Sequence, residues 1–154
     1  MPITIRPATM DDWPTLVNFN CRLAAETEGK ELDRANVEPG VKAVLADVRK
    51  GRYFVACDGD RIVGQLLHTF EWSDWRNGDL WWLQSVYVHP DFRRGGVFRA
   101  LFDHLRIEAA ADPNVVGLRL YVETHNERAQ KTYEQLGLID AGYVVMEQML
   151  KKRI

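Results

Sequence analysis

The sequence predicts an α/β (α+β) chain forming one domain, in which an antiparallel meander runs into a strand-helix-strand crossover. Three observations carry this expectation. The 154 residues are 46% hydrophobic, enough for one full core. Strand-like segments 53–57, 62–70 and 80–88 are joined across two turn signals, Asp58-Gly59-Asp60 and Asn77-Gly78. An apolar strand, an Arg/Gly turn, a helical repeat and a further apolar strand then follow in that order, the pattern of a crossover between parallel strands.

Residues 3–6 read as a short opening strand. Thr9-Met-Asp-Asp12 offers a helix start, with Thr9 or Asp11 as cap and Pro14 in the first turn. That helix runs to about Ala25 and buries Leu16, Phe19 and Leu23, after which residues 26–31 are polar and broken by Gly29. A second helix is expected over 41–50, followed by the three meander strands. Trp81 and Trp82 are neighbours on the third of these and must face opposite sides. Val97, Leu101, Leu105 and Ala109 recur at helical spacing until Asp112-Pro113-Asn114, and residues 115–122 read as a buried strand. A helix over 126–136 closes at Gly137, and residues 142–149 are patterned for a last strand.

Net charge is −2, so no global basic field points to nucleic acid or a membrane surface. No apolar run reaches the roughly 18 residues of a span, and residues 1–6 resemble neither a signal peptide nor a transit sequence. The expectation is a cytoplasmic protein. Cys21 and Cys57 are isolated, and neither they nor the four histidines have ligand spacing, so neither a disulfide nor a metal is expected.

The chemistry concentrates in residues 86–99, Val-Tyr-Val-His-Pro-Asp-Phe-Arg-Arg-Gly-Gly-Val-Phe-Arg. A strand, a glycine turn and a helix start leave backbone N–H groups unpaired where the helix dipole favours an anion. Arg94, Gly95, Gly96, Val97 and Phe98 all keep their N–H, and Arg93 and Arg94 add charge. A plain tight turn would use the same glycines, and this stretch alone does not separate the two readings.

Two motifs together carry a resemblance. Pro90, Arg93 and Gly96 stand in register with the Pro-x-x-Arg/Gln-x-x-Gly-x-Gly/Ala signature of the GNAT superfamily of N-acetyltransferases, and Asn126, Ala129, Tyr133, Leu136 and Gly137 match its second signature. The chain resembles that superfamily over residues 3–149, with Phe98 in place of a small residue and Leu138 in place of Phe. The resemblance implies a mixed, mostly antiparallel sheet of about six or seven strands, with a central parallel pair and about four flanking helices. It also implies acetyl-CoA as co-substrate, with its pyrophosphate on the amides from Arg94 to Phe98 and its pantetheine arm along Val86, Tyr87 and Val88 as an added strand. A Phe98 ring turned inward would crowd that site. Asn126 would bind the pantetheine, although Asn also favours a helix cap. Tyr133 would protonate the departing thiolate, although Ala129, Tyr133 and Leu136 also share one helical face.

The implied reaction is direct transfer of acetyl to a primary amine in a ternary complex, and relatives are often homodimers. The acceptor is a small molecule, polyamine-like or an amino acid, or a protein N-terminus or side chain. An alkylammonium of pKa about 10.4 must lose a proton. Glu71 is the first candidate base, because tryptophans around it would bury it and raise its pKa. Asp74, Glu123, Glu26 and Glu28 are its rivals. Glu26, Glu28, Trp72 and Asp74 could together wall a pocket for a cationic amine. A non-catalytic acyl-CoA sensor on the same fold is the alternative.

Overall fold

The structure is a computed structural model that describes residues 2–154. Its elements follow the expected order: β1 (Ile3–Pro7), α1 (Trp13–Glu28), α2 (Arg34–Ala46), β2 (Arg52–Asp58), β3 (Arg61–Ser73), β4 (Gly78–Val88), α3 (Val97–Ala111), β5 (Val115–Arg119) and α4 (Glu127–Gln135). Two compact units result. One comprises the chain through Arg119 with Arg153–Ile154, the other Leu120–Lys152.

In the first unit the strands form one sheet ordered β1-β2-β3-β4-β5, antiparallel except for the parallel pair β4 and β5. Each face carries helices because the strands alternate apolar side chains on both sides. Tyr53, Val55, Cys57 and Leu67 pack with Leu16 and Val17 of α1 and Val41 of α2. Phe54 faces the other way, its ring 5.0 Å from that of His104 in α3. The buried stripe Val97, Leu101, Phe102, Leu105 and Ala109 seats α3 against the sheet, and each such leucine adds about 2 kcal/mol by leaving water. Gly64 makes the close approach possible, since a Cβ there would lie 2.9 Å from Val97 Cγ1.

The first helix starts after a single 3-10 turn at Met10–Asp12, where Asp12 accepts from Thr9 N at 2.7 Å and pairs with Arg6 at 2.8 Å. It stops at Gly29, whose φ of 62° is left-handed. The second helix begins well before the expected residue 41. Asp33 caps it by accepting from Ala35 N at 3.0 Å, and the helix then runs through Pro39 and Gly40. Pro39 and Gly40 cost α2 only local hydrogen bonding while its buried Val41 holds it to the core.

Two corrections concern the sheet. No residue after Gln135 is in a strand or helix, so the strand expected over 142–149 does not form, because a β-patterned segment needs a neighbour for its N–H and C=O groups. Among the described residues the sheet therefore has five strands rather than about six or seven, and the parallel pair β4 and β5 comes last in its order.

Candidate active site

The parallel ladder between β4 and β5 starts at Asp79 with Val115 and ends at Trp82 with Arg119. Beyond that fork β4 continues to Val88 with β3 on one side and, among the described residues, no strand on the other. Residues 83–88 therefore present a free backbone edge, which an extended ligand can join by main-chain hydrogen bonds. Val86, Tyr87 and Val88 lie on it.

A bulge shapes this edge. Gln65 pairs with Tyr87 while Leu67 pairs with Gln84, so β4 carries one extra residue, and Ser85 within it has a φ of 51°. Gln65, fully buried, donates to the Ser85 carbonyl at 2.9 Å and to Asn20 Oδ1 at 3.3 Å. Asn20 in turn donates to the Tyr53 hydroxyl at 3.0 Å. Sequence reasoning missed this network, although Asn20 and Gln65 were visible as polar residues inside apolar runs.

The turn after β4 is built as a cradle. Pro90–Phe92 forms one 3-10 turn, Arg93 is extended, and Arg94 and Gly96 take positive φ values of 65° and 81°. Among the described residues, the N–H groups of Arg94, Gly95 and Gly96 have no backbone partner, and that of Val97 opens α3. A Cβ at Gly96 would meet nothing within 4 Å, so the space above it is open and glycine is there for its φ. The Phe98 ring lies along α3 against Phe102, with centroids 6.2 Å apart. Amides without a backbone partner beside an open glycine at a helix start suit a pyrophosphate.

Charge at this turn is distributed unevenly. The Arg93 guanidinium donates to Val88 O at 3.0 Å and to Glu26 at 2.7 Å, and lies over the Tyr87 ring at 5.3 Å. Tyr87 donates its hydroxyl to the same carboxylate. These partners, the Tyr87 hydroxyl first and then Arg93, hold Glu26 below the usual carboxylate range. Arg94 has no carboxylate within ion-pair distance among the described residues, so its charge remains available.

Glu71 differs from expectation in its titration. Trp82 Nε1 donates to it at 2.8 Å and Arg119 at 3.1 and 3.2 Å, so its pKa is lowered rather than raised by burial. It spans the last rung of the fork, Trp82 with Arg119. Trp81, on the opposite face as predicted, is buried and stacks on His68 at 4.2 Å.

The pocket expected from Glu26, Glu28, Trp72 and Asp74 is not assembled. Trp72 pairs with Asp79 at one end of β4, whereas Glu26 meets Tyr87 and Arg93 at the other, roughly 25–30 Å away at the rise of a strand. Trp72 and Asp74 are exposed, and Glu28 is an exposed partner of Lys30 at 3.5 Å.

In the second unit Asn126 caps α4, its Oδ1 accepting from Ala129 N at 3.2 Å. The cap uses only the carbonyl, so it leaves the Nδ2 group for a ligand and both expected roles are compatible. Tyr133 is half-buried on the same helix, and burial pushes its pKa above the ordinary tyrosine value.

Comparison with known proteins agrees with these features. The profile of the acetyltransferase (GNAT) family matches residues 13–138. The structure superimposes on that of a possible acetyltransferase from Clostridium difficile 630 with a TM-score of 0.92 at 47% identity, covering 99% of this chain and 100% of the other. A predicted acetyltransferase with acetyl-CoA from Clostridium acetobutylicum shares the fold, with a TM-score of 0.78 at 18% identity over 97% of each chain. Thialysine N-epsilon-acetyltransferase of Caenorhabditis elegans is 30% identical over 87 residues, or 56% of this chain. The match spans about half, 53%, of that curated relative.

Proposed function

Because this chain belongs to the acetyltransferase (GNAT) family and draws its acetyl group from acetyl-CoA, we propose that it acetylates the primary amine of a small molecule directly, in a ternary complex. The observation that carries the donor half is the pairing of a free β4 edge with a cradle of unpartnered amides at Arg94, Gly95 and Gly96. Bound there, the co-substrate supplies an activated thioester. The chain's residues bind and orient: the edge of Val86, Tyr87 and Val88 aligns the pantetheine, and the amides through Val97 and Phe98, with Arg94, hold the pyrophosphate. Arg93 fixes the turn by tying Val88 to Glu26. The Asn126 side-chain N–H₂ binds the pantetheine as its carbonyl caps α4.

Tyr133 is the proton donor to the leaving thiolate in this reading. Its raised pKa keeps the phenol protonated at neutral pH, as a general acid requires. Glu26, held ionised beside the cradle, attracts a cationic amine, and Glu28 two residues on extends the acidic surface. The amine class is supported by the C. elegans relative, whose name gives an amine acceptor. Glu71 stabilises the fork rather than taking the proton. We further propose a homodimer in the cytoplasm, the compartment supported by two free cysteines.

The test is Tyr133→Phe. Turnover of an amine acceptor is expected to fall by about 10²-fold or more, with acetyl-CoA affinity by calorimetry unchanged within a factor of about three. Full activity in the variant would remove Tyr133 from the mechanism. Tight acetyl-CoA binding with no turnover of any amine tested would favour a sensor instead.

A further inference from the structure

A cleft of about 460 Å³ opens between α1, the first residue of α2 and the first residue of β3, entirely within the first unit. That volume suits a small organic molecule rather than a bare ion. Arg22, Arg34, Arg61 and His89 line it, and no carboxylate does. Such a local concentration of positive charge runs against a net charge of −2. Arg34 is anchored by a neutral group, donating to Asn18 Oδ1 at 2.7 Å, and Arg61 lies over the Phe92 ring at 5.1 Å. Neither has a carboxylate within ion-pair distance among the described residues. Arg22 is next to Glu26, a carboxylate already held by Tyr87 and Arg93.

His89 makes the demand for an anion specific. Its Nδ1 accepts from Asp91 N at 3.2 Å, which puts the hydrogen of the neutral ring on Nε2. That Nε2–H stands 3.3 Å from Arg61 Nη2, itself a donor. Two donors thus face each other, an arrangement that one oxygen accepting from both satisfies. Asp91 reaches only the Nδ1 side of the ring, its carboxylate 3.9 Å away.

We propose that this cleft binds a phosphorylated small molecule, whose phosphate accepts from His89 Nε2 and Arg61 while Arg34 and Arg22 supply further charge across the cleft. A phosphate fits better than a carboxylate because it brings about two negative charges and three acceptor oxygens to donors arriving from several elements. The site is separate from the donor's cradle. Helices α1 and α2 pack on one face of the sheet, whereas α3, whose first turn completes the cradle, packs on the other. The inference goes beyond the acetyl transfer proposed above and does not depend on it.

Phosphorus NMR of inorganic phosphate, titrated into the full chain with and without saturating acetyl-CoA, tests this. The phosphate signal is expected to broaden in both conditions, and Arg34→Gln or Arg61→Gln should each weaken binding by about tenfold. Both arginines are exposed, so neither substitution threatens the fold, and acetyl-CoA affinity by calorimetry should not move. Arg106→Gln, on α3, is the control and should change nothing. No broadening, or equal losses in all three variants, overturns the site. Displacement of phosphate by acetyl-CoA overturns it too: displacement also by the 3′-dephospho form would put the ion in the cradle, and displacement by the full form alone would make the cleft a seat for the donor's own 3′-phosphate. Acetate competing as well as phosphate binds would turn the cleft into a carboxylate site and defeat the assignment.

Discussion

Glu71 shows how one neighbour can reverse a residue's expected chemistry. Its position at the end of an apolar strand among tryptophans suggested a carboxylate made basic by burial. Trp82 and Arg119 instead favour the ionised form, and the group is 40% exposed. With its folded pKa below the unfolded one, its contribution to stability is present above about pH 4.3 and is lost as pH falls through the folded value. At that exposure the pair adds at most about 1 kcal/mol. Glu71→Gln should therefore leave the rise of kcat/KM with pH intact, since that rise would follow deprotonation of the amine itself. Disappearance of the rise in a pH-rate profile would restore Glu71 as the base. The sequence could show which type of residue stood at 71. It could not show that β5 would bring Arg119 beside it, because that contact joins positions 48 apart in the chain.

The bulged strand β4 illustrates the same limit for whole elements. The cradle was legible because its parts are local: Pro90, two arginines and two glycines within seven residues, ahead of a helical repeat. The bulge at Ser85 was not, because an extra residue in a strand is defined only against its partner's register. The expected start of α2 at residue 41 fell after Pro39 and Gly40, both poor helix formers, whereas the structure starts the helix at the Asp33 cap. Gln65 is the residue through which the bulge is held. Gln65→Leu removes the donor to Ser85 O and leaves that carbonyl and Asn20 Oδ1 short of a partner, so stability should drop by about 1–3 kcal/mol in urea unfolding. The KM for acetyl-CoA should rise severalfold with a smaller change in kcat. An unchanged KM would mean that the bulge keeps its shape without Gln65.

For the molecule as a whole, acid sensitivity should arise in its core. His68 is fully buried, accepts from Arg52 Nε at 3.0 Å, stacks on Trp81, and has its pKa lowered to about 3, by burial first and by Arg52 second. The unfolded chain binds this proton near pH 6.5 and the folded chain does not, so stability is full above that value and declines as pH falls toward the folded pKa. Between about pH 7 and about pH 4.5 the loss is on the order of 2–3 kcal/mol. Urea midpoints across that range should fall in the parent and fall less in His68→Gln; parallel declines in both would place the sensitivity elsewhere. The order of elements was legible almost throughout, since periodicity and turn residues are properties of the chain itself. The strand expected over 142–149 was not formed, because strand pattern without a neighbour yields only an exposed segment. The open edge of β4 has one more consequence, for what alteration of the gene could accomplish. In the proposed reading the donor is held by main-chain groups that every residue but proline possesses, so substitutions at the less buried positions Gln84 and Val86 would change the surroundings of the acceptor while the grip on the donor passed unaltered from one variant to the next.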